Sequence, residues 1–186
     1  MDNQSLAGSG SSVMQLPRSF ACIGLGSNLG QSRKLLLEAW QALDEHPDIF
    51  PHTLSSPYRT KPVAMDSPHW FINAAGLLHT SLAPEALLEV LLATELRFGR
   101  VRFADREGYQ DRTIDLDLLL FDQRIIQTER LVLPHPAIHE RRFVLVPLTE
   151  IAPQLRHPLL NKTIAELLTD IELLTGQEEI ERVSWL

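Results

Sequence analysis

Apolar runs and two helical stripes set the rhythm of the chain. Phe20 to Leu25 is an apolar run that reads as a buried strand, closing on Gly24 and Gly26. Ser27 or Asn28 then offers a cap for a helix whose stripe is Leu36, Ala39, Trp40 and Leu43, at the i, i+3, i+4, i+7 spacing. Two extended stretches follow, Thr53 to Tyr58 and Phe71 to Thr80, with a loop from Thr60 to Pro68 marked by Pro62 and Pro68. A second helix is expected from Pro84-Glu85, where proline suits a first turn, with Leu88, Leu91, Leu92 and Leu96 turned to the core. Thr113 to Phe121 is a strongly apolar strand. Short pieces around Pro134, Pro147 and Pro153 lead to a last helix carrying Ile164, Leu167, Leu168 and Ile171 on one face.

The order is therefore β-α-β-β-α-β with additions at the end. The two middle strands pair as an antiparallel hairpin and both helices cover the same sheet face. That is an α+β fold, a ferredoxin-like antiparallel sheet with helices packed on it. Residues 1–19 are polar and rich in serine and glycine, with no basic start or apolar core, so they read as a disordered leader and not a signal peptide. Residues 20–175 form the single expected domain, and 176–186 a C-terminal tail.

Composition changes this picture little. A chain of 186 residues can bury a real core, and 44% hydrophobic with 22% charged residues is ordinary for a soluble protein. No apolar run approaches the roughly 20 residues of a membrane helix. The lone Cys22 excludes an internal disulfide framework, which suits a reducing compartment. Net charge −7 disfavours bulk attraction to nucleic acid or acidic membranes. Yet fourteen of the seventeen basic residues are arginine, and Arg97, Arg100, Arg102, Arg106 and Arg112 crowd one segment. A local cluster of forked guanidinium donors suggests a compact anionic ligand, against the blander reading of a solvated charged face.

The glycine cluster Gly24 to Gly30 fails as a dinucleotide fingerprint, because the third glycine comes one residue late and Asp44 falls inside a helical pattern. It fails as a P-loop for want of Gly-Lys-Ser/Thr, and reads as a tight structural turn. His135 and His139 have the spacing of a zinc helix, but Pro136 stands where the glutamate base would be.

The strongest signal is Arg112-Thr113-Ile114-Asp115-Leu116-Asp117 and the leucines after it. In a strand, Ile114, Leu116, Leu118 and Leu120 face one side, while Asp115 and Asp117 point together to the other, roughly 6–7 Å apart. At an effective dielectric near 20 that pair repels by about 2–3 kcal/mol. Aspartate is also a poor strand former. The arrangement makes sense if a divalent cation such as magnesium sits with the carboxylates, since magnesium takes one or two carboxylates plus phosphate oxygens and water. Glu95 lies on the apolar stripe of its helix near the C-terminus, where the dipole disfavours it. It serves either a ligand or a neighbouring arginine.

At these residues the chain resembles the 6-hydroxymethyl-7,8-dihydropterin pyrophosphokinases. The similarity runs from about Ala21 to Pro158, through Gly24 to Gly30, Ser56 to Pro62, Phe71-Ile72-Asn73-Ala74-Ala75, Glu95 to Arg102, Arg112 to Asp117, and Leu133-Pro134-His135 to Phe143. The resemblance implies transfer of diphosphate from ATP to the pterin alcohol with release of AMP, in folate biosynthesis, by in-line attack on the β-phosphorus. It implies two magnesium ions on Asp115 and Asp117, with Arg100 and Arg112 also catalytic. Glu95, Arg100, Arg102, Arg112, Leu118, Arg130, His135 and Arg141 would line the ATP side. Thr60, Val63, Phe71, Asn73 and Phe143 would hold the pterin, the two phenylalanines sandwiching its ring.

The expected enzyme is cytoplasmic and monomeric, with ATP and a reduced pterin as its partners and neither nucleic acid nor membrane among them. The chain departs from the family between Arg106 and Arg112. That connection is two residues longer than usual and lacks the tryptophan and proline, and it reads as a lid over ATP. Phe71 stands where tyrosine is common. The residues alone leave room for a ferredoxin-like module that binds a small ligand without chemistry, whereas the acidic charge and the strand aspartates argue against an RNA-binding module.

Overall fold

β1 (Ser19–Ser27) lies between two antiparallel neighbours, β4 (Phe71–Thr80) and β5 (Asp115–Phe121). Side chains alternate across a strand, so β1 divides the protein into two cores. Ala21, Ile23 and Leu25 face the first, and Cys22 the second. β2 (Ile49–Leu54) pairs with the last half of β4, and β3 (Tyr58–Thr60) with its beginning. The computed structural model describes residues 18–63, 67–101, 110–175 and 179–185. Among these, six strands make one antiparallel sheet of order β5-β1-β4-β3, with β2 beside β4 and a further strand outside β3. Taken by their main strands, this is the β-α-β-β-α-β unit expected for an α+β ferredoxin-like sheet.

α1 (Ser32–Leu43) and α2 (Pro84–Arg97) cover the first face, packing Leu36, Ala39, Trp40, Leu43, Leu87 and Leu91 onto it. α3 (Arg142–Ile151) and α4 (Ile164–Thr175) close the second with Val144, Leu145, Leu148, Ile164, Leu167 and Ile171. A small hairpin of β6 (Ile126–Gln127) and β7 (Val132–Leu133) and one 3-10 turn (Ile138–Glu140) join β5 to α3. No described helix is long and apolar enough to cross a membrane.

Several expectations need correction. α1 begins at Ser32 behind Gln31, so neither Ser27 nor Asn28 caps it. β1 instead continues through Ser27, and the Asn28 amide is taken by Arg112 and Asp111. The stretch Thr53 to Tyr58 is not one strand. β2 starts earlier and β3 resumes after Pro57, reaching Thr60, the first residue of the expected loop. Ser55 keeps the ladder going between them, bonding both ways with the Ala75 backbone. On α2 the buried stripe is Leu87, Leu91, Thr94 and Glu95, and Leu96 is 69% exposed.

In β5 the pairing with β1 slips between Cys22 and Ile23. Past this bulge the alternation reverses, so Leu120 joins Leu119 in the second core and Phe121 returns to the first. α3 was missed altogether, because Pro147 reads as a breaker yet sits inside the helix. Residues 176–186, expected as a tail, supply β8 (Ile180–Arg182), which pairs with β3. Residues 1–17 of the expected leader fall outside the described residues, and Ser19, its last residue, instead opens β1.

Gly76 on β4 is where α1 sits closest to the sheet. A Cβ there would come within 2.3 Å of the Trp40 ring. Gly76→Ala should therefore cost about 1–3 kcal/mol through overpacking, read as a lower urea midpoint with an unchanged slope.

Candidate active site

Two carboxylates on one face of an edge strand would be untenable without cations, and the neighbouring elements supply them. Asp115 is 8% exposed and receives Arg100 from the segment after α2 and Arg112 at 2.8 Å from the segment before β5. Arg100 also donates to the Ile114 carbonyl at 2.9 Å and to Glu95 at 3.0 Å. Glu95, 2% exposed, accepts in addition from the Leu116 backbone N–H at 2.8 Å. Of the two roles open to Glu95, pairing with an arginine is the one observed. It ties α2 to β5 and holds Arg100 against Asp115.

Asp117 has a different environment. Burial, and then the neighbouring Asp115 charge, push its carboxyl up to about 6, against the opposing pull of Arg112 and Arg141. Opposite the two aspartates on β1 stand Gly26 and Gly24, which bring no side chain to that face. A Cβ on Gly26 would lie 3.2 Å from Asn73 Oδ1, so the glycine leaves room between Asn73 and Asp115. The glycine cluster thus keeps the strand surface beside the carboxylates clear.

Next to this cluster is a cavity of about 190 Å³ lined by Thr60, Val63, Phe71, Asn73, Arg112 and Phe143, with Arg141 at its rim. Thr60 and Asn73 are buried, and the Asn73 amide donates to the Thr60 hydroxyl at 2.8 Å. The Arg112 guanidinium lies 5.5 Å from the centre of the Phe71 ring, so one arginine belongs to both the cavity and the acidic cluster. Its Nε is buried with no hydrogen-bond partner among the described residues. Arg112 is held by Asn28, which accepts from its backbone N–H at 2.8 Å and donates to its carbonyl at 3.1 Å.

All five residues expected to hold a pterin therefore line one cavity. Glu95, Arg100, Arg112, Asp115 and Asp117 meet beside it, and Arg141 stands at the N-cap of α3 next to Phe143. His135 is half-buried, and burial with the nearby Arg141 charge lowers its pKa. Its Nδ1 accepts from the Ala137 N–H, which leaves Nε2–H as a neutral donor. Arg130 stands apart, its guanidinium paired with Glu89 on α2 at 3.3 Å and largely exposed. The Leu118 side chain is core, so any ligand contact from it has to come from the backbone of edge strand β5. Arg102 and most of the expected lid lie outside the described residues.

Sequence reasoning missed Asn28, Lys61, Ala137 and Glu140. The last three line the cavity, and only proximity to Thr60 and Arg141 in the chain could have flagged them.

The residues fit a magnesium site. Asp115 and Asp117 offer hard oxygen ligands, and burial with the Asp115 charge raises the Asp117 carboxyl, a penalty that a cation beside it would relieve. Among the described residues no group of three or more acidic, histidine or cysteine side chains forms a full cage. Magnesium prefers such a partial set, completed by phosphate and water.

A family model described as 7,8-dihydro-6-hydroxymethylpterin-pyrophosphokinase matches residues 22–153. The 2-amino-4-hydroxy-6-hydroxymethyldihydropteridine pyrophosphokinase of Methylorubrum extorquens is 41% identical over 161 residues, covering 87% of this chain and 98% of its own. The Bacillus subtilis protein of the same name is 42% identical over 134 residues, 72% of this chain and 78% of its own. A crystal structure of HPPK-DHPS with substrates superposes with TM-score 0.70 at 14% identity, over 89% of this chain and 46% of that one. Wild-type Plasmodium falciparum HPPK-DHPS gives 0.70 at 16% identity, over 91% and 48%. The chain thus spans about half the length of those solved chains, and at such identity they show the fold alone.

The Asp117 shift has a consequence for stability in metal-free buffer. The folded protein binds this proton more tightly than the unfolded chain does. The resulting stability is present below pH about 4 and is lost as pH rises through about 6. Asp117→Asn should therefore match wild type near pH 4 and exceed it by about 1–3 kcal/mol at pH 8, as read by urea unfolding with EDTA present.

Proposed function

The chain belongs to the 7,8-dihydro-6-hydroxymethylpterin-pyrophosphokinase family, and from that premise we propose that it transfers diphosphate from ATP to 6-hydroxymethyl-7,8-dihydropterin, releasing AMP, in folate biosynthesis. The observation that carries the reading is one arginine shared by two sites. Arg112 lies against Phe71 in the cavity and pairs with Asp115 in the acidic cluster. A flat ring in the cavity would therefore have its reactive arm beside the place where phosphate is handled.

On this reading Thr60 and Asn73, with the Val63 backbone, meet the hydrogen-bonding edge of the pterin, and Phe71 and Phe143 stack on its faces. Aromatic walls exclude water from the reacting oxygen. Asp115 and Asp117 would hold two magnesium ions, which when bound neutralise the phosphate oxygens. Arg100 and Arg112, engaged with Asp115 in the ligand-free protein, are the donors available to the polyphosphate chain. His135 adds a neutral N–H donor on the ATP side. Arg102 and Arg130 complete the proposed ATP contacts.

The hydroxymethyl oxygen attacks the β-phosphorus in line and gives up its proton to solvent, the bond from that phosphorus to the α–β bridging oxygen breaks, and AMP departs with that oxygen. The work required of the protein is positioning and charge neutralisation, with no covalent intermediate on a side chain. The reading is of a monomeric cytoplasmic enzyme.

The decisive experiment incubates the protein with ATP, magnesium and 6-hydroxymethyl-7,8-dihydropterin and identifies the nucleotide released. AMP formed in step with the pterin diphosphate supports the reading. ADP keeps phosphate transfer but overturns the choice of phosphorus, and pterin binding without turnover points to a binding module. Asp115→Ala and Asp117→Ala should each lower turnover by at least about a hundredfold while the protein stays folded. Phe143→Ala should weaken pterin binding alone by roughly 5- to 100-fold, the worth of one stacked ring, with ATP affinity unchanged.

A further inference from the structure

Glu150 sits in the last turn of α3, where the helix dipole disfavours a negative charge and no basic residue accompanies it. Its position is explained by what it holds. The carboxylate accepts from the Tyr58 hydroxyl at 2.8 Å, the Ser56 hydroxyl at 2.9 Å and the Ser56 backbone N–H at 3.2 Å. Arg182 of β8 reaches it at 3.2 Å and donates to the Ser56 hydroxyl at 2.8 Å. Four groups from the β3–β8 edge thus converge on one side chain of α3. Burial and the Glu150 bond push the Tyr58 hydroxyl up to about 12, so it remains a donor throughout the neutral range.

Two periodicities connect this knot to the pterin cavity. Phe143 and Glu150 are seven residues apart on α3, two turns along the same helix face and about 10 Å from each other. Tyr58 and Thr60 are two residues apart on β3 and so point to the same face of the sheet, about 7 Å from each other. Helix and strand therefore meet as two rails. At one end Glu150 is bonded to Tyr58. At the other, Phe143 faces Thr60 and Phe71 across the cavity.

We infer that Glu150 is a positioning residue that fastens α3 to β3 and so sets the separation of Phe143 from Thr60 and Phe71 across the pterin cavity. The inference rests on the proposed pterin reading of that cavity. Glu150 touches neither the cavity nor the acidic cluster in its hydrogen bonds, so its effect should fall on one substrate and not the other.

The test compares Glu150→Ala, Glu150→Gln and Tyr58→Phe with wild type. Loss of a hydrogen-bonded charge at the fastened end should raise KM for the pterin about tenfold in Glu150→Ala, with kcat and KM for ATP within about twofold. Glu150→Gln keeps one acceptor oxygen for Ser56, while its amide can donate to the Tyr58 oxygen, and should return KM to within about threefold of wild type. Tyr58→Phe should shift it in the same direction as Glu150→Ala but less.

A ligand-free measurement separates this inference from the substrate reading. Hydrogen exchange at the Val144 and Leu145 amides, about one and a half turns from the substitution, should quicken at least about fivefold in Glu150→Ala. Exchange that changes only near Ser56 and Glu150 overturns the inference, as does a KM that rises equally for both substrates. If wild type binds no pterin, the substrate reading falls, and the exchange result alone then decides whether Glu150 fastens the rails.

Discussion

Two like charges on one face of a strand demand an answer from their surroundings, and much of this protein is that answer. Asp115 and Asp117 on β5 would repel each other and resist burial. Arg100 and Arg112 meet the first of them, and Glu95 holds Arg100 in place from the buried stripe of α2. The end of α2, the segment after it and the start of β5, all within residues 95–117, are drawn together by this cluster. Burial and the Asp115 charge raise the Asp117 carboxyl, which is consistent with the cation site proposed there.

The two-faced sheet separates stability from chemistry. On the first face α1 and α2 bury a continuous apolar layer in which Trp40 reaches across to Gly76. On the second, apolar packing covers only part of the strands, under α3 and α4. Beyond Leu119 and Ala75 that face gives way to Asp117, Asp115, Asn73 and the bare backbone of Gly24 and Gly26. The cavity lies where the packing stops, with Thr60, Phe71 and Asn73 carried on strands and Val63, Arg112 and Arg141 on the connecting segments around them. β8 extends this arrangement by bracing β3 with Arg59–Glu181 and Lys61–Glu179 pairs at 2.7 Å. Those pairs are exposed and individually weak, but they lie along the strand that ends at Thr60.

Much of the fold was legible because its main elements obey their own periods. The stripes of α1 and α4 and the long runs of β1, β4 and β5 carry unmistakable spacing. The errors arose where tertiary contacts override local pattern. Pro147 reads as a breaker, but packing against β4 and α4 keeps α3 helical around it. Leu120 and Phe121 exchange faces because a bulge in the pairing with β1 shifts the alternation, which a single strand cannot reveal. Asn28 looked like a helix cap. Its side-chain oxygen and backbone N–H both bond the Arg112 backbone, eighty-four residues away, and make it part of the site instead.

The sequence by itself determined that Asp115 and Asp117 share a strand face, that Glu95 lies on a buried stripe, and that arginines crowd nearby. These follow from periods of two and 3.6 residues within one element. It also carried enough family motifs to announce the phosphate and pterin chemistry. Only the tertiary structure decided which arginines answer which carboxylate, that Phe71 and Phe143 bound one cavity, and that Glu150 ties α3 to the edge of the sheet. The first depends on how α2 docks beside β5, and the last two on where elements distant in the chain come to rest against each other. Such placement is the outcome of packing over the whole core, and no local spacing encodes it.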